Sequence, residues 1–291
     1  MPDTLQFTKM QGCGNDYVYV NGFTEHVADP ASLAKRVSDR HFGIGSDGLV
    51  LILPSRVADV RMRMFNPDGS EAQMCGNATR CVARYAYEHG LAHNRVVSIE
   101  TLAGIKIARL VLDEGRVGGA TVDMGEPVLA AGKVPVDTGA AGVDPDRPAV
   151  GATLEALGRT FRYTAVSMGN PHCILFLGKD DPDVAALDLP RIGPVFESHP
   201  FFPERVNTEF VRVLSPTSVS MRVWERGTGE TLACGTGACA VAVASVLNGL
   251  VGRTVDVHLV GGVLRINWSE ADNHVFMTGP AETVFDGRLY L

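Results

Sequence analysis

Two stretches decide the fold: Met74-Cys75-Gly76-Asn77-Ala78-Thr79-Arg80-Cys81 and Ala233-Cys234-Gly235-Thr236-Gly237-Ala238-Cys239. Each sets a cysteine directly before a small, glycine-containing turn that opens an apolar helical pattern, Gly76 to Glu88 in one case and Gly235 up to Gly249 in the other. Ahead of each lies a strand pattern and a turn: Arg61 to Phe65 then Asn66-Pro67-Asp68-Gly69-Ser70-Glu71, and Val219 to Trp224 then Glu225-Arg226-Gly227-Thr228-Gly229-Glu230. A shift of 159 positions carries Met62-Arg63-Met64-Phe65-Asn66 onto Met221-Arg222-Val223-Trp224-Glu225, Glu71 onto Glu230, Cys75-Gly76 onto Cys234-Gly235 and Gly90-Leu91 onto Gly249-Leu250. A shift of 155 carries Gly14-Asn15 onto Gly169-Asn170. Strand, turn, cysteine, helix occurs twice, and duplicated structure is the ordinary meaning of such a repeat.

Outward from the repeat, the remaining patterns are mostly strands. Leu5 to Gly22 reads strand, turn, strand; Ala31 to Arg40 has helical spacing after Asp29-Pro30; Leu49 to Leu53 is an apolar strand. Val96 to Val122 is strand-rich with turns at Ala103-Gly104 and Asp113-Glu114-Gly115, and a boundary falls near Asp123-Met124. Gly132 to Gly158, rich in Gly, Ala, Pro and Asp, specifies no element. Asp183 to Ile192 reads as a short helix, Val206 to Leu214 as a strand, and Val255 to Leu259, Val263 to Trp268 and Val275 to Thr278 as further strands. Ala281 to Leu291 is strand-like and fits either half.

At 291 residues the chain exceeds the usual size of one core, so two domains are expected. With 45% hydrophobic and 20% charged residues it has the composition of a soluble globular protein, and no apolar run reaches the roughly 18 residues of a membrane span. The N-terminus, Met1-Pro2-Asp3-Thr4, carries no basic region followed by an apolar one, so a cytoplasmic location is expected. A net charge of -7 argues against a nucleic-acid surface and for small-molecule partners. The six cysteines, at 13, 75, 81, 173, 234 and 239, are too sparse for a disulfide framework and lack the CxxC spacing of a zinc ribbon.

A helix start presents unsatisfied N–H groups and the positive end of the dipole, which biases a cysteine there toward thiolate and can hold a carboxylate beside it. Cys75 and Cys234 are therefore read as chemical groups, while Cys13, Cys81, Cys173 and Cys239 are read as small buried hydrophobes. His172 and Glu225 are candidate partners that orient a thiol or take its proton, with Glu71 and Glu230 as rival carboxylates. Arg226 reads equally as one half of a surface ion pair or as a carboxylate-binding fork. Two pseudo-equivalent domains build a cleft in which matching groups face each other.

Gly12-Cys13-Gly14-Asn15-Asp16, Arg40 to Asp47, Phe65 to Glu71, Cys75-Gly76-Asn77, Ser167 to His172, Arg205-Val206-Asn207 and Glu225 to Gly237, in that order, resemble the motifs of the diaminopimelate epimerase family almost end to end. The resemblance implies an α+β fold of two pseudosymmetric domains, each a mostly antiparallel sheet curled around a central helix, with the active site in the interdomain cleft. The domains are then residues 1–123 with 280–291, carrying Cys75, and residues 124–279, carrying Cys234. It implies interconversion of LL- and meso-diaminopimelate without pyridoxal phosphate or any other cofactor, and without a metal, in lysine and peptidoglycan-precursor biosynthesis. One cysteine thiolate removes the α-proton and the other, as thiol, returns a proton to the opposite face; Cys75 and Cys234 match those positions. His172 and Glu225 match the groups supporting them. Asn15, Asn66, Asn170, Asn207 and Arg226 match substrate-binding positions, and the backbones at Gly76-Asn77 and Gly235-Thr236 match those that bind the reacting carboxylate. Family habit implies a homodimer.

Two positions depart from the pattern: Gly48, where some members carry a substrate-contacting Gln, and Ala78, where Gly is usual. The nearest rival reading is another two-thiol racemase on the same fold, acting on proline or hydroxyproline. Thiol-disulfide exchange, lacking a CxxC, and a non-catalytic amino-acid-binding protein, which would not need two activated thiols, are more distant.

Overall fold

Strands dominate both halves of the chain in the computed structural model, which describes residues 4–291. The first three positions, on which part of the N-terminal reading rests, lie outside the described residues. The chain separates into two compact units, Met1–Asp123 with Thr278–Leu291, and Met124–Met277.

In unit 1, β1 (Thr4–Gly12) and β2 (Asn15–Asn21) form a hairpin, followed by α1 (Pro30–Ser38), β3 (Leu49–Leu53), β4 (Val60–Phe65) and the short β5 (Glu71–Ala72). Then come α2 (Gly76–Glu88), β6 (Val96–Thr101), β7 (Gly104–Asp113) and β8 (Arg116–Asp123). Unit 2 holds α3 (Thr138–Ala141), β9 (Ala152–Ala156), β10 (Arg159–Ser167), β11 (Pro171–Phe176), α4 (Leu189–Glu197), β12 (Asn207–Ser215), β13 (Ser218–Glu225) and β14 (Gly229–Thr231). It continues with α5 (Gly235–Leu247), β15 (Thr254–Leu259) and β16 (Gly262–Trp268). β17 (Val275–Pro280) leaves unit 2, and β18 (Glu282–Tyr290) closes unit 1 by pairing antiparallel with β1, Thr4 opposite Tyr290.

The repeat is visible as an identical series of strand pairings. From β1 to β2, β3, β4, β5 and then from β4 to β6 and β7, the pairs run antiparallel, parallel, antiparallel, antiparallel, parallel, antiparallel. From β10 to β11, β12, β13, β14 and then from β13 to β15 and β16, the series is the same. The result is an α+β fold, mostly sheet, in which α2 packs on β1, β6, β7 and β8 and α5 on β10, β11, β15 and β16.

Both helices stop the same way. Gly90 and Gly249 each take φ +68°, a left-handed conformation that glycine adopts without a Cβ clash. The next residue then folds back, Leu91 N–H to the Ala86 carbonyl at 2.8 Å and Leu250 N–H to the Ser245 carbonyl at 2.9 Å. Their faces differ. In α5 every residue from Gly237 to Ser245 is buried, so the apolar sequence is enclosed all round. In α2 the fully buried Arg80 sends its Nε to the Pro280 carbonyl at 3.0 Å, and Arg84 pairs with Glu88 at 3.0 Å on the open side.

The segment expected to form a helix over Asp183 to Ile192 divides differently. Asp183 caps a single 3-10 turn, Val184–Ala186, by accepting the Ala185 N–H at 2.9 Å. The helix proper starts at Leu189, where Pro190 suits the first turn, and extends to Glu197 because Phe196 is buried against Phe161 and Phe210. Within Gly132 to Gly158, the structure forms the end of a 3-10 turn, Ala131–Lys133, then α3, capped by Asp137, a single bridge from Pro148 to Ala130, and β9.

Candidate active site

Cys75 is the N-cap of α2, with extended backbone (φ -137°, ψ 124°). The strand pair β4–β5 delivers the chain to this point. Asn15, on β2, reaches the cysteine: its Oδ1 accepts from the Sγ at 3.4 Å and from Asn77 Nδ2 at 3.2 Å. Asp47 fixes the other end of that amide, accepting Asn15 Nδ2 at 2.8 Å, and is itself held by Arg40 at 2.9 Å. Asn15, Cys75 and Asn77 are thus one hydrogen-bonded group at the open N-terminal turn of α2, with the buried Oδ1 of Asn77 lacking a partner among the described residues. Asn66 is bonded to Ser70 Oγ at 3.0 Å inside its own turn, and its hydrogen bond does not tie it to Cys75.

Cys234 is the N-cap of α5 in the corresponding conformation (φ -113°, ψ 110°). Its sulfur accepts the Gly237 N–H at 3.3 Å and lies 3.5 Å from Thr236 Oγ1. Glu225, the last residue of β13, hydrogen-bonds to the Cys234 thiol and accepts from Thr231 Oγ1. His172, completely buried on β11, faces Glu209 Oε1 through Nδ1 at 2.6 Å and Asn170 Oδ1 through Nε2 at 3.0 Å. Asn207 spans two backbones, donating to the Pro171 carbonyl at 3.1 Å and accepting the Arg226 N–H at 2.8 Å. Unit 2 therefore gathers Cys234, Thr236, Glu225, His172, Asn170 and Asn207 in one neighbourhood.

The Arg226 side chain donates from Nη1 to the Glu204 carbonyl at 3.0 Å. The rival carboxylates are occupied. Glu71 takes Arg63 Nε at 2.7 Å and Nη2 at 2.9 Å, and Glu230 takes Arg222 with the same two distances. These are bidentate clamps on the repeated β4–β5 and β13–β14 hairpins, which hold the chain leading into each cysteine.

Electrostatics correct one expectation. A helix start favours thiolate, but burial pushes the Cys234 thiol well above the ordinary range, and the charges of Glu225 and Glu209 push it the same way. The Gly237 N–H and the Thr236 hydroxyl oppose this and lose. Burial likewise raises Glu225, partly offset by Thr231 and His172. The core cysteines behave as packed hydrophobes: Cys81 is pushed up to about 11 by burial and Cys173 well up.

Gly48 has φ +150°, and a Cβ there would lie 2.2 Å from the Phe65 carbonyl oxygen and 2.9 Å from Tyr17 Cε1. The glutamine contact found at this position in some family members has no space here.

Three residues missed by the sequence reading belong to these clusters. Asp47 holds Asn15. Tyr17, deeply buried, hydrogen-bonds to both Asn15 and Cys75, and burial followed by the Cys75 charge pushes its phenol well up. The shift of 155 that aligns Asn15 with Asn170 also aligns Tyr17 with His172, a signal present in the repeat. Glu209 was detectable as a carboxylate inside the apolar strand Thr208 to Val211.

Comparison with known proteins places these features. A family model described as diaminopimelate epimerase matches residues 7–130 and 164–284. A curated diaminopimelate epimerase of Desulfovibrio desulfuricans is 61% identical over 292 residues, covering 100% of both chains. One of Acetivibrio thermocellus is 54% identical over 288 residues, covering 99% of each. Among solved structures, a probable proline racemase from Agrobacterium radiobacter superposes with a TM-score of 0.70 at 15% identity, over 99% of this chain and 93% of the other. A hydroxyproline epimerase from Agrobacterium vitis gives 0.68 at 16% identity, over 100% and 94%. The structural likenesses speak to the fold.

Proposed function

Because the chain belongs to the diaminopimelate epimerase family, we propose that it is an isomerase converting LL-diaminopimelate to meso-diaminopimelate by proton transfer between two cysteines. The observation that carries this reading is the paired placement of Cys75 and Cys234 as N-caps of the repeated helices α2 and α5, each inside a family-matched range.

In the proposed reaction a thiolate breaks the α-carbon's C–H bond and forms an S–H bond, while the opposing thiol gives its proton to the other face. One proton has moved from one sulfur to the other, and exchange with water resets the pair. Burial and two carboxylates favour Cys234 as the thiol, the form that delivers a proton. Glu225, bonded to Cys234, receives or returns that thiol's proton. The carbanion-like transition state needs dipoles aimed at its carboxylate. The N–H groups at Gly76-Asn77 and Gly235-Thr236 supply them from two helix starts. Asn15, Asn66, Asn170, Asn207 and Arg226 bind the rest of the substrate by family analogy. No cofactor takes part in this scheme.

The same reading makes diaminopimelate the small-molecule partner, with neither nucleic acid nor membrane involved, in lysine and peptidoglycan-precursor biosynthesis. A cytoplasmic homodimer accompanies it by family habit. Among the described residues no helix is long and apolar enough to cross a membrane.

Incubation with LL-diaminopimelate in deuterated water tests the reading: reduced protein should form the meso isomer with deuterium at the α-carbon. Absence of label would refute it, and label on proline instead would favour the rival racemase.

A further inference from the structure

Glu209 enters the scheme above only through its charge on Cys234, yet its position is unusual. It lies on β12 between Ile174 of β11 and Val223 of β13, two positions along from the pair His172 and Asn207, and is completely buried. One carboxylate oxygen, Oε1, meets His172 Nδ1 at 2.6 Å. The other, Oε2, is buried without a hydrogen-bond partner among the described residues. A Cβ at Gly237 would come within 2.7 Å of Oε1, so the carboxylate sits directly beneath the first turn of α5, next to the N–H that bonds Cys234.

For stability alone this is a poor arrangement. A buried carboxylate with one satisfied oxygen costs more than a well-packed apolar residue of similar shape. What the arrangement does provide is a fixed imidazole. An ionised carboxylate is acceptor-only, so Nδ1 must carry a hydrogen and the ring can neither flip nor change tautomer without losing the bond. The position left to exchange is Nε2, which faces the Asn170 amide oxygen at 3.0 Å, an acceptor for the hydrogen that Nε2 gains or gives up.

We propose that Glu209 is a positioning residue for the reaction, acting through His172 by holding its Nδ1–H and thereby presenting Nε2 as the ring's working nitrogen. The proposal rests on the reading of His172 as the proton-handling partner of a thiol. Besides Glu209, the titratable groups bearing on this pair are Glu225 at the end of β13, Cys234 at the start of α5, and Cys173 beside His172 on β11.

The full-length protein tests it through Glu209→Gln, which keeps the shape and removes the charge. By comparison with carboxylates that orient histidines elsewhere, kcat for epimerisation should fall by about 10- to 100-fold, with KM within about twofold and the pH dependence of kcat displaced. Tm should stay level or rise. Unchanged kcat and pH profile, or a loss of kcat matched by a loss of Tm, would overturn the proposal. A nitrogen-15 histidine spectrum of the unmodified protein reads the tautomer independently of activity. It should show His172 protonated at Nδ1, and an Nδ1 without hydrogen would overturn the proposal even if Glu209→Gln failed to fold. If the unmodified protein leaves LL-diaminopimelate unlabelled in deuterated water, the functional reading fails instead, while the spectrum still decides the pair.

Discussion

The sulfur of Cys234 accepts the backbone N–H of Gly237 at 3.3 Å, closing the cysteine onto the helix it caps. A hydrogen bond and a helix end each contribute about 1 kcal/mol toward the thiolate. Desolvation, with Glu225 and Glu209 adding their charges, outweighs both. The thiolate fraction should therefore rise only as pH passes above the ordinary thiol value of about 8.5. Iodoacetamide labelling of Cys234, followed by peptide mass spectrometry across pH, should give a midpoint above that value, and Glu225→Gln should move it down. A midpoint below it would contradict the burial argument.

Removing either sulfur should stop the reaction, because each face of the α-carbon needs its own proton carrier. Cys75→Ala and Cys234→Ala are each expected to lower epimerisation by roughly 10²- to 10⁴-fold, the range of a lost general acid or base. Turnover by either variant at the unmodified rate would exclude the two-thiol scheme.

Tyr17 donates a finer test. Tyr17→Phe deletes the hydroxyl bonded to Asn15 and Cys75 and nothing else. The loss of one hydrogen bond, about 0.5–1.5 kcal/mol, corresponds to a reduction in kcat of up to about tenfold. Steady-state kinetics would reveal it, and an unchanged kcat would make the hydroxyl a packing feature.

Glu71 and Glu230 should prove dispensable for chemistry. Each is clamped by an arginine on its hairpin, so Glu71→Gln and Glu230→Gln should lower stability by about 1 kcal/mol while leaving turnover intact. Urea denaturation and kinetics on the same samples separate the two effects. A strong loss of turnover would return these carboxylates to the list of proton carriers.

Gly48→Gln should destabilise the protein. The backbone at φ +150° and the Phe65 carbonyl 2.2 Å from the new Cβ leave it no room. Strain of this kind costs about 1–3 kcal/mol before any clash is counted, measurable as a lower denaturation midpoint. A variant as stable as the parent would show that β3 and β4 yield there.

The repeat was legible because it is written in short-range chemistry: turn residues, a cysteine, a small residue and a helical period recur at one spacing. Helix α2 falls at the expected Gly76 to Glu88 because propensity and a glycine stop agree there. The 183–192 segment was misplaced because two aspartates offer caps and only the burial of Phe196 chooses between them. Within the clusters, cysteines and glycines carry local signals, whereas Glu209 and Tyr17 acquire meaning from strand neighbours. His172 and Glu209 are 37 residues apart and meet only because β11 and β12 pair in parallel.

The place of β18 in the first unit has a consequence for the order in which the molecule comes into being. On a ribosome, domains ordinarily fold from the N-terminus onward. Here the strand beside β1, and the Pro280 carbonyl that receives the buried Arg80, are synthesised only after all of residues 124–277. The later-coded unit has its whole sheet in hand first, while the unit bearing Cys75 must wait, this edge of β1 without its neighbour, until residues 278–291 have been made.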